Sequence, residues 1–442
     1  MDLNDALLIH GLVLSYLLAY GYFKLRQHGL FHWLSTGFWV WGAILFYGLV
    51  APLGQYYLGD PSYIETRLAV TEGVFRLLWI TCCIAVGTYV FFVIYIKSRP
   101  AQIRMGLPQD RWPVATSFIL ALALLGAAYS LITFRGFMGA EAVQNYNFAP
   151  GDYIEKITGY QYVLHMLALF PIVLLIQRKS TRYLGYALAA FYILGRLNDK
   201  WDRMSIVSLI IGISMVSVVL QRRRWPSPLL LGLILLATVT LEVRGHTTME
   251  KFLASGQLTT DQATQEVKES SSATMLQTLW VESYLADECG YTYGLPLIND
   301  LLFGALPRKY FPWKNDVIEK FIPYKPRGTE YIYGSEMMYG AKSMIFGSLY
   351  DYGGLIGIIL GMVLLGFLAR KLDDLISEYS PTVLRTLGIV WLSMLWMIFA
   401  SSIVWGLQAL FLSGLPCMAL VIVNKILPLT KERIPLQILP NR

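Results

Sequence analysis

The chain has 442 residues, of which 55% are hydrophobic and 15% charged, with a formal net charge of +7. A soluble domain carries about 25% charged residues, so a soluble globular protein is excluded. Apolar runs approaching the roughly 20 residues needed to cross a bilayer recur along the chain. This predicts an all-α, polytopic integral membrane protein, because helices are the only plausible spanning elements for such runs.

Eleven spanning helices are predicted, over 6–23, 31–54, 75–96, 114–134, 160–177, 183–196, 204–220, 226–242, 346–369, 383–402 and 404–424. The first has no basic stretch before it and no small-residue cleavage site, so it reads as a retained helix and not as a signal peptide. Cys82 and Cys83 are adjacent in one apolar run, Cys417 lies in another, and Cys289 lies in a polar loop. Neighbouring cysteines on a helix point apart, so these read as small buried hydrophobes and not as a disulfide framework or a metal site.

Basic clusters set the expected orientation. Lys24 and Arg26 follow the first predicted helix; Lys97, Arg99, Arg104 and Arg111 the third; Arg178, Lys179 and Arg182 the fifth. Arg222, Arg223 and Arg224 follow the seventh, Arg370, Lys371 and Arg385 the ninth, and Lys425, Lys431 and Arg433 the eleventh. Every short basic cluster thus follows an odd-numbered helix. The N-terminus is expected outside and the C-terminus in the cytoplasm. Residues 1–242 would hold eight helices, 243–345 a large exported loop, 346–424 three more helices and 425–442 a cytoplasmic tail. Most cations then face the cytoplasm and suit anionic lipid headgroups, and no nucleic-acid partner is expected.

The large loop is unusual for its side of the membrane, because 10 of the 36 Lys and Arg residues lie in it. Its residues 256–273 are polar and low in hydrophobics. Residues 274–287 have the spacing of an amphipathic helix. Residues 295–306 are apolar but too short to span, which predicts a re-entrant or interfacial helix. The run 307–314, PRKYFPWK, then mixes cations with aromatics.

Arginine grips phosphate bidentately and stays charged at any relevant pH. Arg203 and Arg244 are the first candidates for such a role, with Arg135 and Arg196 behind them, because all four are expected at the exported membrane surface. Snorkelling or a local ion pair, such as Arg203 with Asp199 or Asp202, is the plainer alternative. In the loop, Arg308, Lys309, Trp313, Lys314 and Arg327 are candidate substrate contacts, or interfacial anchors. Exported carboxylates at Glu282, Asp287, Glu288, Asp300, Glu330 and Glu336 offer a general base; no spacing selects one, and Glu336 and Glu330 are preferred. His246, close to Arg244, is a further base candidate or a solvated loop residue. Aromatics at Tyr56, Tyr57, Tyr146, Phe148, Tyr160 and Tyr162 form an interfacial belt, or stack on sugars. The chain has no P-loop, no GxGxxG after a strand, no HExxH and no paired CxxC. The first exported loop holds Asp60 and Glu65 but no DxD-type pair, which speaks against a metal-dependent sugar-nucleotide transferase.

Several passages together resemble the Wzy-type polysaccharide polymerases, GT-C-like integral membrane glycosyltransferases of O-antigen and capsule assembly. They are the long late loop, GLPLINDLLFGALPRKYFPWK at 294–314, GSLYDYGGLIGIILGMVLLGFLARKL at 347–372, and Arg203 at a helix start after a polar turn. The second is similar to the family's Gly, apolar helix, Pro, basic or aromatic, Trp-Pro passage, and the third to its Gly-Ser and Gly-Gly approach to the following helix. The resemblance covers about residues 195–372. Arg244 and Gly256 depart by one residue from the family's Arg-then-Gly pattern. A histidine that the related O-antigen ligases use after Pro307 has no clear counterpart.

The resemblance implies metal-independent transfer of a growing glycan from polyprenyl diphosphate to a new lipid-linked repeat unit, in the bacterial inner membrane and without a cofactor. It implies lipid-linked glycans and membrane lipids as partners, with a chain-length regulator and a flippase of the same pathway. An O-antigen ligase, a transporter or flippase of lipid-linked sugars, and a non-catalytic assembly partner are the rival readings. A transporter would favour internal repeats and charged, cavity-lining helices, and no repeat is visible.

Overall fold

The computed structural model describes residues 3–58, 73–98, 114–137, 153–197, 203–232, 234, 275–295, 297–298, 344–377, 382–400 and 403–426. Among them are twelve α-helices and no strand: α1 (Leu3–Gln27), α2 (Thr36–Ala43), α3 (Ala51–Leu58), α4 (Gly73–Lys97), α5 (Val114–Phe137), α6 (Tyr153–Gln177), α7 (Arg182–Leu197), α8 (Arg203–Gln221), α9 (Met275–Cys289), α10 (Met344–Ile376), α11 (Thr382–Ala400) and α12 (Ile403–Ile426). A π-helical turn, Ile44–Val50, joins α2 to α3. Five stretches are long and apolar enough to cross a membrane: Leu3–Gln27, Thr36–Gly54, Gly73–Lys97, Met344–Ile376 and Thr382–Phe399. The chain is a multi-pass membrane protein, all-helical among the described residues.

Helices occupy ten of the eleven expected positions, and of the eighth only the first residues are described. The expected start of the second helix, at residue 31, is corrected to Thr36. The cause is a tight stop after α1. Leu30 N–H donates to Leu25 O and Gly29 N–H to Arg26 O, with Gly29 left-handed at φ 68°. This paired pattern ends helices at a glycine, and residues 28–35 form the connecting turn. The amphipathic helix expected over 274–287 is α9. Most of its side chains are buried, packed against α4 and α10.

Contacts between named residues fix the helix directions. His10 of α1 meets Thr81 of α4 at 2.9 Å. Gly21 of α1 lies beside Phe92 of α4, and Gly87 and Tyr95 of α4 meet Ile358 and Asp373 in the long arm of α10, residues 355–376. These three helices therefore run parallel. The second helix returns antiparallel to α1: Trp41 Nε1 donates to Leu18 O at 2.8 Å, and Tyr56 hydrogen-bonds Asn4. In the same way α7 runs against α6, with Gly185 beside Ile176 and Tyr192 beside His165. Helix α8 runs against α11, with Gly212 beside Ser393 and Ser208 beside Trp396. Turns after α1 and α8 are joined by Trp33 N–H donating to Arg224 O at 3.0 Å. The last turns of α1, α4, α8 and α10 thus share one end of the bundle. Lys24, Arg26, Lys97, Arg222, Arg223, Arg224, Arg370 and Lys371 all belong to it.

Two buried polar arrangements hold the bundle in register. The first explains the π-helical turn. Pro52 has no N–H, so the Gly48 carbonyl four residues earlier loses its helical donor. His10 Nε2 supplies one at 2.8 Å, and its Nδ1 engages Thr81 Oγ1. The second lies at the basic end. Asp373 Oδ1 accepts from Thr36 N–H at 2.8 Å and from Thr36 Oγ1 at 2.6 Å, and Tyr95 donates to its other oxygen. A carboxylate on α10 thereby caps the N-terminus of α2, where the helix dipole favours negative charge.

The expected single helix over 346–369 is corrected as well. Helix α10 breaks at Gly353 and Gly354. Gly354 has φ 61° and ψ −141°, a conformation open only to glycine. A Cβ there would also sit 2.7 Å from the Tyr291 hydroxyl.

Candidate functional site

The break in α10 lies at the end of the bundle opposite the cationic turns. There α9 and the turn after it settle against α4 and α10. Arg76 stands in the first turn of α4, in a helix whose only other charged residue is Lys97. Its side chain is 15% exposed and its guanidinium is 2.9 Å from the Asp287 carboxylate, which is 61% exposed. A second nitrogen donates to Ser283 Oγ at 3.3 Å, and Ser283 in turn donates to Trp280 O at 2.7 Å. The guanidinium carbon lies 5.2 Å from the Tyr284 ring centroid, a cation–π geometry. Ser283, Tyr284 and Asp287 lie within one helical turn or so of α9, and so address Arg76 together. With Asp287 largely in solvent, the ion pair itself adds little stability. Its value is that it orients a charge at the rim.

Aromatic rings extend the site from Arg76 to the break. Trp79, one turn after Arg76, donates its indole N–H to Tyr350 Oη at 3.1 Å. The Tyr350 ring lies 6.0 Å from that of Tyr291, which lies 6.4 Å from Tyr293. Trp79, Tyr291 and Tyr293 are exposed. Thr292 fastens this loop to the break, donating its N–H to Asp351 O at 2.8 Å and its hydroxyl to Asp351 Oδ2 at 2.7 Å. Asp351 thus serves as an anchor. The arrangement sets a fixed cation and an exposed carboxylate beside a row of rings that can stack on the C–H faces of sugars.

The residues singled out from the sequence fall into two groups. Arg203 is the first residue of α8, while Arg196 and Arg135 lie in the last turns of α7 and α5. Their side chains are outside the described residues. The end of α6 meets the start of α11 beside the last turn of α10, so α7 runs from the cationic end and α8 ends at it, which brings Arg196 and Arg203 to the same end as Arg76. Arg244, His246, Glu330, Glu336, Arg308, Lys309, Trp313, Lys314 and Arg327 lie outside the described residues altogether. Asp287, one of several undistinguished carboxylates in the sequence, acquires a partner. Arg76 and Trp79 are not among the residues singled out from the sequence. The signal that could have found them is a cation one helical turn from a Trp, at the head of an otherwise apolar helix. Among the described residues no three His, Cys, Asp or Glu side chains gather as a metal site. Cys82 is exposed and Cys83 buried, pointing apart as adjacent helical residues must.

Compared with protein-family models, curated proteins and solved structures, the chain matches none.

Proposed function

We propose that the chain is a glycosyltransferase of a bacterial inner membrane that polymerises oligosaccharide repeat units carried on polyprenyl diphosphate. In this proposal eleven helices span the membrane, with the N-terminus exported and the C-terminus cytoplasmic. The exported segment 243–345 is a lid that contains a re-entrant helix. The observation that carries the proposal is the Arg76 cluster: a helix from the late loop seats on the bundle rim and sets a cation beside exposed aromatic rings. Helices α1, α4, α8 and α10, whose cationic last turns share one end, support the orientation.

The chemistry joins two lipid-linked glycans. A hydroxyl at the non-reducing end of the new repeat attacks the anomeric carbon of the growing chain. A glycosidic bond forms, the bond from that carbon to the phosphate oxygen breaks, and polyprenyl diphosphate leaves. The hydroxyl proton passes to a carboxylate, for which Glu336 and then Glu330 are the choices. Fixed guanidinium groups neutralise the leaving diphosphate, and Arg203, Arg244 and Arg76 are assigned to that work. Arg135, Arg196, Arg308, Lys309, Lys314 and Arg327 hold the remaining anionic groups, and Trp313 stacks on sugar. A closed lid excludes the water that would hydrolyse the donor.

The test is purified, folded protein given one lipid-diphosphate-linked repeat unit in the presence of EDTA. Lipid-linked glycans of several repeats are expected. Absence of any elongation by folded protein contradicts the proposal.

A further inference from the structure

The basic end of the bundle holds a pocket of about 380 Å³, lined by Tyr22, Arg26, Gly29, Phe31, Arg224 and Trp225. It plays no part in the transferase chemistry and lies at the opposite end from Arg76. Two separate turns build it. The stop after α1 contributes Arg26, Gly29 and Phe31, and the turn after α8 contributes Arg224 and Trp225. Hydrogen bonds tie both turns in place. Trp33 N–H to Arg224 O ties them together, and Arg26 donates to Tyr22 Oη at 3.1 Å. Phe31 packs on Trp225 at 5.6 Å and edge-on to Tyr22 at 4.8 Å. Phe38 closes the aromatic wall behind them, 5.0 Å from Trp225.

The charges of this end converge without an acidic residue in the pocket lining. Arg26, in the last turn of α1, and Arg224, in the turn after α8, both face it from segments remote in the chain. Beside it, burial and then the fields of Arg224 and Arg370 hold the His32 imidazole below its ordinary range. An anion seated between the two guanidinium groups would relieve that crowding and accept charge-assisted hydrogen bonds.

One further feature names the source of the anion. The exposed side chains Leu8, Leu12, Tyr16 and Phe23 form a row along α1. They recur at helical spacing, and Phe23 meets the pocket residue Tyr22 at 5.3 Å. From Leu8 to Phe23 the row covers about 22 Å at about 1.5 Å per residue, longer than the roughly 15 Å of hydrocarbon in one leaflet. A phosphate in the pocket would therefore have an apolar track beside it for its acyl chains. We propose that the pocket at Arg26, Arg224 and Trp225 is a binding site for the phosphate headgroup of an anionic phospholipid, whose chains lie along the Leu8–Phe23 face of α1.

The test is a titration of the purified full chain, in a neutral detergent, against tail-labelled phosphatidylglycerol, read by fluorescence anisotropy. Saturable binding is expected, at least tenfold tighter than for labelled phosphatidylcholine. Arg26→Gln and Arg224→Gln should each weaken it about tenfold, the loss of about 1.4 kcal/mol of interaction. Arg223→Gln, which changes an exposed arginine beside the lining, should leave it unchanged. Thermal melting shows that each variant is folded. Because Arg26 is an exposed residue at a helix end, Arg26→Gln keeps the test open if Arg224→Gln fails to fold. Glycerol phosphate, a soluble competitor with the same phosphate, should displace the lipid only at large excess. Four results overturn the proposal: equal binding of the two lipids, full binding by folded Arg26→Gln, an equal loss in Arg223→Gln, or displacement by equimolar glycerol phosphate.

Discussion

Arg76 shows how a single side chain acquires a role from its surroundings. Its charge is partly sheltered, faced by the Tyr284 ring and held by Ser283 and Asp287. Arg76→Ala should lower the elongation rate about a hundredfold, the effect of removing one preorganised donor to developing charge. Arg76→Lys should recover only part of it, because an ammonium cannot form the planar fork. A rate equal to wild type in Arg76→Ala would remove this residue from the chemistry. The opposite end offers a stability test. Arg222 is left-handed at φ 51°, in a helix stop built like that at Gly29: Arg223 N–H donates to Val218 O and Arg222 N–H to Val219 O. A side chain in that conformation costs about 1 kcal/mol, so Arg222→Gly should raise the melting temperature in detergent. A lower melting temperature would show that the arginine contributes contacts that outweigh its strain. Neither stop was read from the sequence; a glycine at residue 29 is the kind of signal that marks one, whereas an arginine in a basic cluster carries no such sign. Arg76 was illegible for a different reason. An arginine at the edge of an apolar run looks the same whether it snorkels or is paired, and its partners come from a helix much later in the chain.

Elements were easier to read than residues, because apolar length alone announces a membrane-spanning helix. The exceptions are the places where another element intervenes. Residues 31–35 are apolar enough to have been given to the second helix, yet α2 begins at Thr36, where Asp373 from α10 supplies its cap. Removing that carboxylate leaves the Thr36 N–H, the Thr36 hydroxyl and the Tyr95 hydroxyl without their buried acceptor. Asp373→Ala should cost about 3 kcal/mol or more, seen as a lower melting temperature. Asp373→Asn should cost less, since its amide oxygen still accepts. Unchanged melting of Asp373→Ala would mean that α2 starts without this cap. The glycine pair at 353–354 was visible in the sequence as a motif before a helix. That it breaks α10 instead of preceding it depends on Tyr291 and Thr292, which no local pattern reveals. The π-helical turn is similar: Pro52 marks where a donor is missing, but only the fold brings His10 to supply it.

For the whole molecule, the alternation of basic clusters foreshadowed how the helices run. The structure places the last turns of α1, α4, α8 and α10 together, and puts Arg196 and Arg203 at the end that holds Arg76. Most of the expected substrate contacts lie in 243–343, where polar composition gives little purchase on tertiary placement. The chemical proposal is therefore tested on the reaction and not on the loop. A polymerase links glycan to glycan and frees the lipid diphosphate in the same step; a ligase needs a core-lipid acceptor, and a flippase makes no bond. The decisive measurement counts polyprenyl diphosphate released against glycosidic bonds formed, by purified protein supplied only with the lipid-linked repeat unit. One diphosphate released for each new linkage is the predicted result. Release without linkage, or movement of intact lipid-linked repeats across the bilayer with neither, would contradict it.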